Sequence, residues 1–430
     1  MFNEECIKNL DLEKNGLINV VNKNIEKNRK STVRVTVTDK KGLPITLSEV
    51  CVKQTQSSFR FGCNAFMLHQ FDTAEENARY EDLFCNLFNQ AVLPFYWCDD
   101  EPTYGKYRFS VDSPKIYRRP APDEILEFCN KHDIEPKAHN LLWNNEGCFP
   151  KWLPASPEKR WIEIERRFNI LSEKYKNTIK IWDVCNEVAG TGEYERMIPD
   201  YEVKAHILAD KLFPHCHLIM NDFAGIYGEK YNKRRSNFYL YIKKVILGGG
   251  RVDGIGLQNH LFFKKEEMNS NLQQLNAEHI LEAIDVYSEF GKDLHISEIT
   301  IPSYGYKTAD LELQAKITEN LYRIWFSSKN IKSIVWWNMV DNTASINPLN
   351  PSWNENYYYG GLVSDKMEKK PVYDVIKKLR DEWTTDFKTV TDKNGSFCED
   401  FYHGDYELEI NGAKFKFSVD ENTKLVKLKV

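Results

Sequence analysis

The chain has 430 residues, a length that suits one large α/β domain with a small addition. Its 58 basic and 63 acidic residues give a net charge of −5 and form no block of one sign. This balance argues against nucleic acid and anionic membranes as partners. Aromatic residues make up 13% of the chain, a content that suits a large core and stacking on small ligands.

The first residues, MFNEECIKNL, contain acidic side chains and lack the apolar run of a secretion signal. The sequence contains no run of about 18 apolar residues, the length that a membrane-spanning helix needs. Its ten cysteines lack the close spacing of a disulfide framework and indicate free thiols. We therefore expect a cytoplasmic protein, or a secreted one if a signal peptide has been removed.

Between residues 59 and 385, eight short apolar runs alternate with longer segments of helical period. The predicted strands are FRFGCNAF, AVLPFYW, EPKAHNLLW, TIKIWDVCNE, HLIMNDF, VDGIGLQNH, DLHISEIT and IKSIVWWNM. Among the helices between them, one begins with a capping box at Thr73 and Glu76, another begins near Pro157, and the last follows Pro371. Eight successive β-then-α units predict parallel strands closed into a (β/α)₈ TIM barrel.

Two β-rich pieces flank the predicted barrel of residues 57–385. Residues 31–56 and 386–430 show alternating apolar residues and Lys-Gly or Asn-Gly turns, and residues 1–30 form a helical lead-in. Neither piece is long enough to bury its own core, and both join the barrel at the same end. We predict that they combine into one small β-sandwich, because their pattern resembles the two halves of a transthyretin-like fold.

Two carboxylates, Glu187 and Glu298, lie at the ends of the fourth and seventh predicted strands. In a barrel of this kind, the chemistry occurs at the C-terminal ends of the strands. A protonated carboxyl and an ionised carboxylate that face each other are the minimal equipment for breaking a glycosidic bond. The simpler alternative is that each acid only begins a solvated loop.

Several motifs occur in an order that resembles glycoside hydrolase family 10, the retaining endo-β-1,4-xylanase family. They include KAHNLLWN, WDVCNE, IMNDF, DGIGLQNHL, HISEITIP and WWNMVDNTAS. The resemblance covers about residues 59–383 and all eight units. It implies a retaining hydrolase that acts on β-xylan or xylo-oligosaccharides by double displacement, with no cofactor and no metal.

The resemblance also implies which residues carry the reaction. Glu187 corresponds to the acid/base and Glu298 to the nucleophile, whose carboxyl groups in a retaining enzyme lie about 5–5.5 Å apart. The resemblance further implies that the substrate contacts come from Asn186, His139, Trp143, Gln258, His260, Trp337 and, with a changed residue type, Tyr96.

Individual roles follow from the same resemblance. Asn186 would bind the sugar 2-hydroxyl, His260 would hold Glu298, and Gln258 could reach either carboxylate. Each tryptophan or histidine in the set could instead be an ordinary core residue. Asn221 and Asp222 receive no role, since they could simply cap the turn that follows their strand.

The second strand, AVLPFYW, departs from the family pattern. Val92 and Leu93 replace a Glu-Asn pair, and Tyr96 replaces a lysine that binds sugar on the donor side of the cleaved bond. Asn144 replaces a family histidine, and Trp353 is the candidate to replace a tryptophan missing after the eighth strand. An unpaired buried polar group costs about 1–3 kcal/mol, so these changes predict a short or apolar donor pocket that accepts one sugar or an unusual one.

Two other functions use the same residues. One is an exo-acting or small-molecule β-glycosidase that acts on oligosaccharides or plant-metabolite glycosides. Aryl glycosides or short oligosaccharides would then be better substrates than polymeric xylan. The other is a non-catalytic sugar-binding protein on the same scaffold. The intact set of Glu187, Glu298, Asn186 and His260 argues against a pure binder, which has no need of both carboxylates.

Overall fold

The structure is a computed structural model that describes residues 7–190, 194–223, 231–270, 272–344 and 354–429. Residues 1–6 of the predicted lead-in and the candidate Trp353 lie outside these residues. The helices are α1 Ile18–Arg29, α2 Ala74–Leu87, α3 Trp97–Asp100, α4 Pro122–His132, α5 Pro157–Tyr175, α6 Tyr201–Leu212, α7 Asn237–Leu247, α8 Ala277–Ser288, α9 Thr308–Ser327 and α10 Pro371–Glu382.

The strands fall into a barrel set and two flanking sets. The barrel strands are β3 Arg60–Asn64, β4 Gln90–Pro94, β5 Glu135–Trp143, β6 Ile181–Asn186, β7 His217–Asp222, β8 Gly254–His260, β9 Asp293–Thr300 and β10 Ile331–Trp336. The flanking strands are β1 Lys30–Thr38, β2 Glu49–Ser57, β11 Asp386–Val390, β12 Ser396–Tyr402, β13 Gly404–Ile410, β14 Ala413–Val419 and β15 Leu425–Lys429.

The eight strands β3 to β10 pair in parallel and close into a barrel in the order β10-β3-β4-β5-β6-β7-β8-β9. Every residue of β4 and of β6 is buried, as expected for strands covered on both faces. The predicted (β/α)₈ barrel is therefore confirmed, and each of the eight apolar runs forms one strand. Several strands are shorter than predicted: β6 ends at Asn186 and β10 at Trp336, so Glu187 and Trp337 open the following loops.

The predicted helix starts are also present. Thr73 and Glu76 form the capping box of α2, with each side chain bonded to the other's backbone N–H. Helices α5 and α10 begin at Pro157 and Pro371. Proline is tolerated there because the first N–H groups of a helix make no hydrogen bond within it. Among the described helices, none combines the length and apolar character required to cross a lipid bilayer.

The two terminal pieces combine as predicted. Strand β1 lies between β12 and β15 in a three-stranded sheet, and β2 lies between β11 and β13 in a four-stranded sheet that β14 completes. Each N-terminal strand is thus flanked by C-terminal strands, and neither piece can form its sheet alone. The sheets enclose a separate apolar core that includes Val35, Val52, Phe401, Tyr406 and Leu408.

The sandwich and the lead-in helix are fastened to the N-terminal end of the barrel. The buried guanidinium of Arg29, at the end of α1, donates to the carbonyl oxygens of Phe326 at 2.7 Å and Ile331 at 2.7 Å. The Phe326 ring in turn stacks on Trp383 with centroids 4.0 Å apart. These contacts leave the opposite, C-terminal end of the barrel strands for the site.

Substitution of the sandwich core tests whether the terminal pieces stabilise the protein. Phe401 is fully buried on β12, so Phe401→Ala should lower the free energy of unfolding by about 3–5 kcal/mol. Glu399→Ala on the same strand is the control, because this exposed side chain should change stability by less than about 0.5 kcal/mol. Urea denaturation measures both variants, and equal midpoints would show that the sandwich adds nothing to stability.

Candidate active site

Glu187 follows a strand that is buried along its whole length. At this residue the backbone turns into the left-handed region with φ of 55°, which ends the strand and redirects the chain. Its N–H donates to the carbonyl oxygen of Asn221 on the neighbouring strand at 2.8 Å. The side chain is thereby held at the C-terminal mouth of the barrel.

Glu298 lies inside β9 and is 4% exposed. Its Oε1 accepts a hydrogen bond from Asn221 Nδ2 at 2.9 Å, and its Oε2 lies 3.2 Å from His260 Nε2. The other ring nitrogen of His260 lies 2.9 Å from Thr300 Oγ1, which fixes the ring plane. Both oxygens of Glu298 therefore have a defined partner.

A network of side-chain amides joins the two carboxylates. Asn221 Nδ2 also donates to Asn186 Oδ1 at 2.8 Å. Gln258 Nε2 lies 3.2 Å from Glu187 Oε1 and 3.5 Å from Asn186 Oδ1. The sequence alone assigned no role to Asn221. Its position at the C-terminal end of the strand IMNDF, where site residues of a barrel lie, was the signal that could have identified it.

The surroundings of the acid/base candidate favour its protonated form. Burial raises the pKa of Glu187 well above its ordinary value, and the negative charges of Glu298 and Asp222 raise it further. The hydrogen bond from Gln258 opposes this shift but does not cancel it. Glu187 is thus suited to donate a proton at neutral pH.

A buried charged group lies next to the nucleophile candidate. His139 Nδ1 lies 2.8 Å from Asp183 Oδ2, to which Lys137 Nζ also donates at 2.6 Å. Burial alone would raise the pKa of Asp183, but the Lys137 charge and the His139 hydrogen bond hold it below its ordinary value. His139 is also 3.9 Å from Glu298 Oε1, so it connects this group to the site.

Aromatic rings form the walls around these side chains. The Trp337 ring centroid lies 5.5 Å from that of His139 and 6.0 Å from that of His260. The Tyr96 centroid lies 5.8 Å from His139 and 6.0 Å from Trp143. The structure therefore brings all nine predicted site residues into one group at the mouth of the barrel.

Of the altered residues Val92 and Leu93 on the second strand, only one lies beside the site. Val92 packs with Tyr96, Trp337 and Phe66 in a small apolar cluster beside the site. Leu93 instead belongs to the main core, because successive side chains of a strand point to opposite faces. Of the two residues that replace the family's polar pair, only Val92 changes the surface of the pocket.

The described residues include no group of three or more His, Cys, Asp or Glu side chains arranged to hold a metal ion. The polar centre consists of two carboxylates, three amides and two histidines with aromatic walls. Such a set can protonate a leaving oxygen and supply a carboxylate nucleophile to a ring that stacks on tryptophan.

Comparison with known proteins agrees with this chemistry. The sequence model of "Glycosyl hydrolase family 10" matches residues 106–379. The chain belongs to glycosyl hydrolase family 10. It is therefore a xylanase-like glycoside hydrolase of a retaining family. The matched region begins after β4, so the unusual segment AVLPFYW lies outside it.

The similar proteins cover different parts of the chain. Endo-1,4-beta-xylanase B of Thermotoga neapolitana is 26% identical over 66% of this chain and 78% of that protein. Anti-sigma-I factor RsgI6 of Acetivibrio thermocellus is 23% identical over 94% of this chain and 48% of that protein. The second alignment thus includes most of the sandwich as well as the barrel.

Solved structures share the barrel. Xylanase 10B from Thermotoga petrophila in complex with xylobiose superposes with a TM-score of 0.59 at 22% identity, covering 76% of this chain and 94% of that one. Native xylanase 10B from Thermotoga maritima gives the same score at 24% identity, covering 76% and 95%.

The electrostatic account of Glu187 predicts a pH effect. Asp222→Asn removes a negative charge that raises the pKa of Glu187, so this pKa should fall. Because Glu187 must be protonated to act as an acid, the basic limb of the kcat/KM profile should move to lower pH. Glu173→Gln, an exposed change on α5, should leave the limb in place. An unshifted or raised limb in Asp222→Asn would contradict this assignment.

Proposed function

We propose that this protein cleaves β-1,4-xylosidic bonds by double displacement, with Glu298 as nucleophile and Glu187 as acid/base. The single observation that carries the proposal is the pair of carboxyl groups in opposite environments, linked through Asn221, Asn186 and Gln258. Relatives named endo-1,4-beta-xylanases support xylose as the sugar.

In the first step, a Glu298 oxygen forms a bond to the anomeric carbon as the bond to the leaving oxygen breaks. Glu187 gives its proton to that oxygen, so the leaving group departs as an alcohol. Hydrogen bonds from Asn221 and His260 hold the attacking carboxylate in one orientation. The product of this step is a glycosyl ester on Glu298.

In the second step, the ionised Glu187 takes a proton from water, which attacks the anomeric carbon and releases Glu298. The pKa of Glu187 must fall between the two steps. The structure contains a cause for this fall, because the charge of Glu298 helps to raise the pKa of Glu187 and is lost in the ester. One side chain can therefore act first as an acid and then as a base.

Other residues position the sugar. The Oδ1 of Asn186 accepts from Asn221, so its Nδ2 can donate to the 2-hydroxyl, an interaction that strengthens in the transition state. The rings of Trp143 and Trp337 pack against the sugar, Tyr96 borders its donor side, and Gln258 orients the acid/base. We further propose that residues 1–56 and 386–430 support the barrel of residues 57–385.

Removal of each carboxylate should give a different stereochemical result with azide. In Glu298→Ala, azide enters the space of the lost nucleophile and should yield the α-glycosyl azide. In Glu187→Ala, azide attacks the glycosyl ester from the opposite face and should yield the β-glycosyl azide. NMR of the products distinguishes the two anomers.

The leaving group supplies the control for this experiment. Glu187→Ala should lose about 10²–10⁴-fold in kcat/KM on xylo-oligosaccharides and much less on an aryl xyloside, whose phenolate needs no proton. Glu298→Ala should lose activity on both substrates alike. If Glu298→Ala retains wild-type rates, or if both variants form the same azide anomer, the assignment is wrong.

A further inference from the structure

A segment of the β4–α4 connection crosses the mouth of the barrel. We call residues 110–121 the strap. The hydroxyl of Tyr117 and Nη1 of Arg118 both donate to the carbonyl oxygen of Thr343, at 3.0 and 2.9 Å. Arg118 Nη2 donates to Asn338 Oδ1 at 2.8 Å. Since Asn338 and Thr343 follow β10, the strap reaches the loop of a strand that is not next to β4.

The strap is also held on its own side of the barrel. Arg119 Nε donates to Asp99 Oδ2 at 2.9 Å, and Arg108 donates to the carbonyl oxygens of Pro114 at 2.7 Å and Arg119 at 3.0 Å. Strand β3 lies between β10 and β4 in the closed order. The strap is bonded to residues that follow β4 and to residues that follow β10, so it passes over the C-terminal end of β3 between them.

Beneath the strap, the space is filled by packed side chains. The Arg118 and Arg119 guanidinium carbons lie 5.6 and 5.5 Å from the Phe66 ring centroid, and that of Arg119 lies 4.0 Å from the Tyr96 centroid. Phe66 is 1% exposed, Tyr96 is 6% exposed and Trp337 is 7% exposed. Rings that bound further sugars would be exposed to solvent, whereas Arg118 and Arg119 cover the rings of Phe66 and Tyr96.

The covered end is the donor side of the site. Glu187 protonates the leaving group, and it follows β6, which lies opposite β10 in the eight-strand order. The sugar that becomes bound to Glu298 therefore extends away from Glu187, toward β10, β3 and β4. Away from the strap, Phe262 follows β8 and stacks on His260, and its partly exposed ring can contact a larger leaving group.

We propose that the strap closes the donor side to a single sugar, so that the enzyme removes one xylosyl unit at a time from the non-reducing end. The substrate class is then short β-1,4-xylo-oligosaccharides and other β-xylosides, rather than the interior of a polymer. This inference rests on the proposed function and adds its mode of action. Arg118, Arg119 and Tyr96 are the residues that determine it, since their packing occupies the place of a second donor sugar.

The bond that is cut first in a labelled pentasaccharide tests the inference. Xylopentaose with a heavy oxygen isotope at its reducing end is digested briefly, and mass spectrometry measures the unlabelled products. We expect the full-length wild-type enzyme to release xylose, leaving labelled xylotetraose. The anomer formed first from an aryl β-xyloside is measured in parallel by NMR.

Two strap variants make the test specific. Arg118 has φ of 61°, so Arg118→Gly removes both of its tethers in a backbone conformation that glycine adopts readily. In the second variant, two glycines replace residues 111–118. Both should raise the ratio of xylobiose to xylose released by at least about tenfold, the scale of one gained or lost sugar contact. Val111→Ala, exposed on the strap, is the matched control and should leave the ratio unchanged.

The outcomes separate the two proposals. Wild-type release of xylobiose or longer products from the first cut overturns the inference and leaves the proposed function standing. The inference is also wrong if the wild type releases xylose but both strap variants fold and keep the wild-type ratio of xylobiose to xylose. Failure to hydrolyse both the pentasaccharide and the aryl β-xyloside, or formation of the α anomer, overturns the proposed function and the inference with it.

Discussion

One carboxamide, that of Asn221, positions the parts of the site. Its Nδ2 reaches Glu298 and Asn186, and its Oδ1 accepts a hydrogen bond from Ser297 at 2.5 Å. The neighbouring strand makes room for it, because a Cβ added to Gly256 would lie 2.4 Å from Asn221 Oδ1. Only a glycine at this register position of β8 allows the amide to lie between β6 and β9.

The two carboxylates share this network but have different surroundings. Asn221 donates to one oxygen of Glu298 and His260 Nε2 lies 3.2 Å from the other, whereas burial and neighbouring carboxylates disfavour the charge of Glu187. The buried Lys137 and Asp183 pair holds His139 in place from below. Buried ion pairs of this kind contribute little to stability, so we interpret this one as a device that fixes the geometry of the site.

The sequence predicts those features that depend on local periodicity and order along the chain. Eight apolar runs of strand length predict the barrel, and the rule that strand ends carry the chemistry selects Glu187 and Glu298. The contacts of Asn221 with Asn186 and Glu298 could not be predicted from the sequence, because they depend on the register of β6, β7 and β9. Leu93 shows the converse case: the motif suggests a pocket position, but the pleat of β4 turns its side chain into the core.

The contacts of the strap could not be predicted from the sequence. Nothing in KIYRRPAP indicates that Arg118 bonds to Thr343, which is more than two hundred residues later, or that Arg119 stacks on Tyr96. Such contacts follow from closure of the barrel, which brings the loops of β4 and β10 to the two sides of β3. The same closure places Val92 and Tyr96 beside Phe66 and Trp337, under the loops of β4 and β10.

The identity of the nucleophile tests this account most directly. In a dinitrophenyl 2-deoxy-2-fluoro-β-xyloside, the fluorine slows both steps, because it destabilises the positive charge that develops in each transition state. The good leaving group keeps the first step fast enough for the glycosyl ester to accumulate. Peptide mass mapping should then find the fluorosugar on Glu298, within HISEITIP. A label on another residue, or steady turnover of normal xylosides with no covalent adduct, would contradict the account.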